Sequence, residues 1–314
     1  MRSNSRIKNN TKGQERNQIK KTKTADRKPI EKNNNRALFV FCLILFLSGV
    51  VVLLYPYVSN AVNQRHASQA IQDFDEKIAN MDKEEIDVIK EAAKQYNEQL
   101  QKAVSAGDTD SAVSYKDISG IEKVIGYIVI PKIDVNLPIY SGTSKAVLKK
   151  GVGHMEQTSY PLGGISTHCV LTGHRGLPSA VLFTDLDKVE IGDGFYLHVL
   201  DEVLAYKVDK IKVVEPDNGD DLEIVEGQDY CTLVTCTPYA VNSHRLLVRG
   251  TRVEYIEGEI TEDGLQMQSG SFTKRIIDVW PWLLIAFFVI SGIETFIFMM
   301  ILKKRKKEKE EEQE

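Results

Sequence analysis

The sequence predicts an all-β domain, a barrel or sandwich of about 150 residues, held between two membrane-spanning helices. Two observations carry this. From Val124 onward, short β-branched and aromatic runs are separated by Gly, Pro and Asp turns, the pattern of a small all-β fold. Two long apolar runs, Ala37–Val58 and about Val279–Leu302, flank that region and are long enough to cross a hydrocarbon layer.

Residues 1–36 hold 12 Lys and Arg against 3 Asp and Glu and almost no large apolar groups, so they read as a solvated basic tail. Residues 37–58 carry no charge and would span roughly 33 Å as a helix. In residues 59–120, apolar side chains fall at Ile71, Phe74, Ile78 and Met81, then at Ile89, Ala93, Tyr96 and Leu100. Spacings of three and four predict an amphipathic helical appendage. A break is expected near Asp82, where Asp82 and Glu85 have capping-box spacing. Gly107–Gly120 is a polar connector.

Within residues 121–256 the predicted strands are Val124–Ile130, Val135–Tyr140, Thr167–Thr172, Gly194–Val199, Val203–Val214, Tyr230–Thr235 and Arg245–Arg249. Leu186–Val189 and Asp221–Ile224 look like single helical turns or loops between them. Residues 257–278 form a juxtamembrane linker. The second span, 279–302, opens on Trp280 and Trp282, carries one acidic residue, Glu294, and runs into the basic stretch Lys303–Lys307 of a charged tail, 303–314. Basic residues at both outer flanks put both termini in the cytoplasm and residues 59–278 outside. That outer region has a net charge of −13, which speaks against a nucleic-acid partner.

Four cysteines are present, and Cys42 falls in the first apolar run. The remaining three, Cys169, Cys231 and Cys236, are an odd number with no disulfide or zinc spacing, so an exported domain carries an unpaired thiol. A Cys231–Cys236 bridge is sterically disfavoured along one extended strand. Cys169 and Cys231 are expected to pack as small hydrophobes. No HExxH, phosphate-binding glycine loop or EF-hand pattern occurs, and no cofactor is expected.

Cys236 ends an apolar run just before Thr237-Pro238. Proline cannot donate to a sheet ladder, so the strand should stop there and leave the thiol at its rim. His174 lies between Gly173 and Gly176, just past the strand Thr167–Thr172. Arg245 opens the next strand, where a hairpin return would set a guanidinium beside the end of the cysteine strand, able to stabilise an oxyanion. His244 is the rival base, but alternation puts it and Arg245 on opposite faces.

Leu171-Thr172-Gly173-His174-Arg175-Gly176, Leu233-Val234-Thr235-Cys236-Thr237-Pro238-Tyr239 and Asn242-Ser243-His244-Arg245-Leu246-Leu247-Val248-Arg249-Gly250 resemble the histidine and cysteine/arginine motifs of sortases, most closely the class C, pilus-building group. Tyr127-Ile128-Val129-Ile130-Pro131-Lys132-Ile133, Leu137-Pro138-Ile139-Tyr140 and Gly151-Val152-Gly153-His154 are similar to that group too. The resemblance implies an eight-stranded β-barrel with short helices. It also implies Cys236 as nucleophile, His174 as acid/base, Arg245 as anion stabiliser and Thr235 in contact with substrate. The implied donor is a secreted pilin or surface protein bearing an LPxTG-like signal, and the implied acceptor is an amine, either a pilin lysine or a cell-wall cross-bridge. A catalytically silent surface-binding protein and a secreted cysteine protease are the competing readings. Class C members often carry an Asp-Pro-aromatic lid anchor before the barrel. Gly107–Gly120 contains no proline and no such triplet, so an unanchored connector is expected.

Overall fold

Eight runs of alternating or wholly buried side chains form the strands of one sheet: β1 Val124–Ile130, β2 Val135–Ser141, β3 Val152–His154, β4 Thr167–Thr172, β5 Gly194–Val199, β6 Glu202–Val214, β7 Asp229–Thr237 and β8 His244–Val253. The computed structural model describes residues 34–107 and 124–256, with the isolated positions 290, 297, 300, 301 and 303. The sheet closes on itself in the order β1-β2-β3-β4-β7-β8-β6-β5. The pairs β2/β3 and β4/β7 are parallel and the other six are antiparallel. Closure leaves no free edge for another chain to pair with.

Period-two alternation sends Ile128, Ile139, Leu171, Leu197, Leu204, Leu233 and Val248 inward, each no more than 1% exposed. Each such side chain contributes about 1.5–3 kcal/mol of burial. The strands therefore match the sequence expectation apart from one. β3 has only three residues, too short to leave a run, and it exists because β2 and β4 close over it. Single 3-10 turns occur at Leu186–Lys188 and Asp220–Leu222, where the sequence suggested one-turn elements.

Two long helices precede the barrel, α1 Asn34–Ala79 and α2 Lys83–Ser105, and a short third, α3 Lys145–Leu148, follows β2. The break falls at Asp82 as the capping pattern suggested, but the Asp82 side chain makes no capping hydrogen bond. The chain divides into two units between Leu53 and Leu54. In the first lies most of the apolar stretch of α1; among the described residues, Phe39–Ala79 is the one helix long and apolar enough to cross a membrane.

In the second unit, Ile71 and Phe74 of α1 pack on Tyr127 and Val129 of β1. On α2 the buried stripe is Ile86, Ile89, Ala93, Tyr96, Asn97 and Leu100. Asn97 bonds both ways to the Tyr160 backbone, at 2.7 and 3.2 Å, and Tyr96 donates to the Thr158 carbonyl at 3.1 Å. Lys90 reaches Asp201 and Glu202 at 2.6 Å each. The appendage is thus bound to the barrel by apolar burial and a few directional bonds. The connector after Gly107 and nearly all of the second apolar run, 279–302, lie outside the described residues.

Candidate active site

Two strand pairings converge at one rim. In the antiparallel β7/β8 hairpin Cys236 stands opposite Arg245 and Val234 opposite Leu247. In the parallel β4/β7 pair Thr172 stands beside Val234, and the Gly173 amide continues the ladder by donating to the Val234 carbonyl at 3.1 Å. The parallel register ends there; His174 follows Thr172 by two residues, as Cys236 follows Val234. Alternation then puts Cys236 and Arg245 on the face that carries Val170, Val234 and Leu247, opposite the interior face of Leu233, Thr235 and Leu246. The three segments that carry Cys236, His174 and Arg245 share one rim because β7 has a parallel neighbour and an antiparallel one that reach it together.

Cys236 is partly exposed, while Cys169 and Cys231 are buried. Arg245 is partly buried, and its Nη1 donates to the carbonyls of His244 at 3.1 Å and Asn242 at 3.3 Å. Among the described residues its Nε and Nη2 carry no hydrogen bond, which leaves donors free for a developing negative charge. His244 faces the other way, 3.7 Å from a Glu215 oxygen, with the Ser243 hydroxyl 2.8 Å from its Nδ1. Thr235, expected to touch substrate, is 1% exposed, and its hydroxyl donates to the Gly173 carbonyl at 2.7 Å. It ties the cysteine strand to the histidine loop from the inside.

The loop after β4 is shaped by two glycines. A Cβ on Gly173 would come within 2.7 Å of the Phe183 ring, and Gly176 has φ +72 and lies against the Tyr239 ring. Larger residues would push the His174 loop off the barrel. Arg175 holds that loop, a role the sequence reading did not assign. Its side chain is 8% exposed; Nε donates to the Thr184 carbonyl at 3.1 Å, Nη1 to the Thr237 hydroxyl at 3.1 Å, and Nη2 pairs with Asp187. Thr237 directly follows the cysteine. The only sequence signal for this clamp was a basic residue beside His174.

Cys169 and Cys231 lie side by side across β4/β7, wholly inside the barrel, near His154. Burial first, and the neighbouring Cys169 thiol second, push the Cys231 thiol well above its usual range. A buried, protonated thiol is a poor nucleophile. Among the described residues no group of three His, Cys, Asp or Glu side chains could hold a metal ion.

This barrel, with its cysteine at the rim, is that of a cysteine transpeptidase. The Sortase domain profile matches residues 128–253. Sortase A of Streptococcus agalactiae serotype III is 30% identical over 206 residues, covering 65% of this chain and 79% of that protein. Sortase D of Bacillus subtilis is 30% identical over 165 residues, covering 52% and 79%. Among solved structures, the lid mutant of Streptococcus agalactiae Sortase C1 is 47% identical with a TM-score of 0.57, covering 60% of this chain and 98% of that one. Clostridium perfringens sortase C with the C-terminal cell wall sorting motif is 48% identical with a TM-score of 0.55, covering 60% and 100%. The chain belongs to the sortase family, and its structural neighbours are class C sortases.

Proposed function

We propose that the protein is a pilus-building transpeptidase in which Cys236, His174 and Arg245 carry the chemistry. The observation behind this is the shared rim: β7/β8 pairs Cys236 with Arg245, and the parallel β4/β7 pair ends two residues before each of His174 and Cys236. The Cys236 thiolate attacks the Thr–Gly carbonyl of an LPxTG-like signal, and the free donors of Arg245 bind the oxyanion. As the C–N bond breaks, the His174 imidazolium protonates the departing glycine amine. A thioester on Cys236 and a neutral His174 remain. A pilin lysine then takes the acyl group, forming an isopeptide bond and releasing the thiolate.

The class C neighbours support the lysine acceptor, and the structure of Clostridium perfringens sortase C with the C-terminal cell wall sorting motif supports the donor. We assign the catalytic unit to residues 121–256 and the helical appendage to 59–120. The basic flanks of both apolar runs support a two-pass bacterial membrane protein with both termini cytoplasmic and this unit outside. Incubation with a sorting-signal peptide should yield a covalent adduct at Cys236 by mass spectrometry, and a lysine peptide should turn it into an isopeptide product. Cys236→Ala should abolish both while the barrel still folds. Turnover in that variant would sink the mechanism, and a preference for an oligoglycine amine over lysine would move the protein to cell-wall anchoring.

A further inference from the structure

A groove of about 320 Å³ lies on the His174 side of the rim, walled by Tyr57, Ile133, Leu177, Val181 and Tyr239 and passing Gly176. Two of its walls are the loops that carry the proposed catalytic groups: Gly176 follows His174 by two residues and Tyr239 follows Cys236 by three. The wall from α1 is held in place where buried Asn60 accepts a hydrogen bond from the Val181 amide at 2.9 Å. The far end is Asp134, which caps the 3-10 turn Pro131–Ile133 with φ +53. Topology puts it on the same rim, since β2 runs parallel to β3, and β3 runs antiparallel to β4. The register, with Tyr140 level with Gly153 and Thr172, carries the start of β2 past the end of β4 on that side.

Asp134 is the one charged side chain lining this groove, is partly exposed, and has no ion-pair partner among the described residues. An apolar trough ending in one carboxylate suits a segment that offers an apolar side chain and a cation, and repels an acidic one. Transpeptidation needs two substrates. The donor must reach the Cys236–Arg245 side, because its carbonyl oxygen needs Arg245. The acceptor amine must arrive from the His174 side, because His174 takes its proton. The groove opens there.

We infer that this groove is the acceptor subsite, seating an extended segment that bears an apolar side chain next to its nucleophilic lysine, with Asp134 drawing in the ammonium. The inference rests on the transpeptidase reading above. Asp134 lies two strand spacings from β4 and about four residues beyond the level of His174, roughly 16 Å at ordinary sheet spacing and rise. It therefore holds the lysine before the reaction and not during it. On leaving the carboxylate the ammonium sheds one proton to water. The neutral amine attacks the thioester carbon, the C–N bond forms as the C–S bond breaks, neutral His174 takes the second proton, and the thiolate returns to Cys236.

The test compares full-length wild type, Asp134→Lys and Val181→Trp in detergent. Each is acylated with the sorting-signal peptide and resolved either by a short peptide with leucine beside lysine or by hydroxylamine, a small neutral nucleophile with no need of the groove. In both variants the second-order rate constant with the lysine peptide should fall tenfold or more, while acylation and hydroxylamine resolution stay within twofold. Asp134→Lys changes a partly exposed side chain, so it serves if Val181→Trp fails to fold. Equal loss with both nucleophiles, or no loss with either, would overturn the inference while leaving the transpeptidase reading in place. Absence of any acyl-enzyme in the wild type would overturn both.

Discussion

Replacing Arg175 by Ala should cost both stability and turnover, although the residue is assigned no part in bond making. The substitution removes two hydrogen bonds from a guanidinium that is 8% exposed, to the Thr184 carbonyl and the Thr237 hydroxyl, both at 3.1 Å. It also removes the pairing with Asp187, which is 46% exposed. Bonds to a charged donor contribute about 1.5 kcal/mol each, and the ion pair at a half-exposed carboxylate adds less than about 1 kcal/mol. The sum is about 3 kcal/mol, which in a unit of this size lowers the melting temperature by about 6–12 °C. Because the clamp joins the His174 loop to the residue after Cys236, its loss misplaces the proposed acid against the proposed nucleophile, and kcat should fall roughly 10- to 100-fold. Thermal unfolding of the full-length protein and single-turnover acylation at 20 °C measure the two effects separately. Alkylation of Cys236 by iodoacetamide should stay within about twofold, because the thiol remains at the rim. A melting temperature within about 1 °C of wild type, or unchanged acylation in a destabilised variant, would refute the clamp.

Arg245→Lys keeps the charge but loses the planar fork, and acylation should fall by about 10² or more, with folding unchanged. His174→Ala should cost far more activity than His244→Ala, since His244 points toward Glu215 and away from the thiol; the reverse order would make His244 the acid. His198 stacks on Tyr127 at 4.3 Å, its Nε2 is buried without a hydrogen-bond partner, and burial lowers its pKa from 6.5 to about 4. The folded state therefore binds fewer protons than the unfolded chain between these values. Stability is full above pH 6.5 and declines as the pH falls toward 4, by up to about 3 kcal/mol. Denaturant unfolding from pH 7 to 4 should show this slope, and His198→Phe, which keeps the stack, should flatten it; an equal slope in the variant would place the titration elsewhere.

Much of this protein is legible from residue order alone. The strand runs around Ile128, Leu137 and Val248 declare themselves because period-two burial is a local property, written into neighbouring residues. Cys236 could be placed at a strand end because Pro238 cannot extend the ladder. Alternation likewise separated Arg245 from His244 before any contact was known. The motifs around His174, Cys236 and Arg245 were enough to suggest the family. Tertiary structure decided everything that depends on which strands meet. β3 is three residues long and takes its conformation from β2 and β4. The parallel β4/β7 pairing, which brings Arg175 to Thr237 across 62 residues of sequence, has no local signature. Thr235 could not be assigned inward as a tie to Gly173, nor Asp134 to the end of a groove built partly by α1, until the barrel closed. Pairing between distant strands is set by the summed burial of the whole interior, and no short stretch of sequence contains that sum.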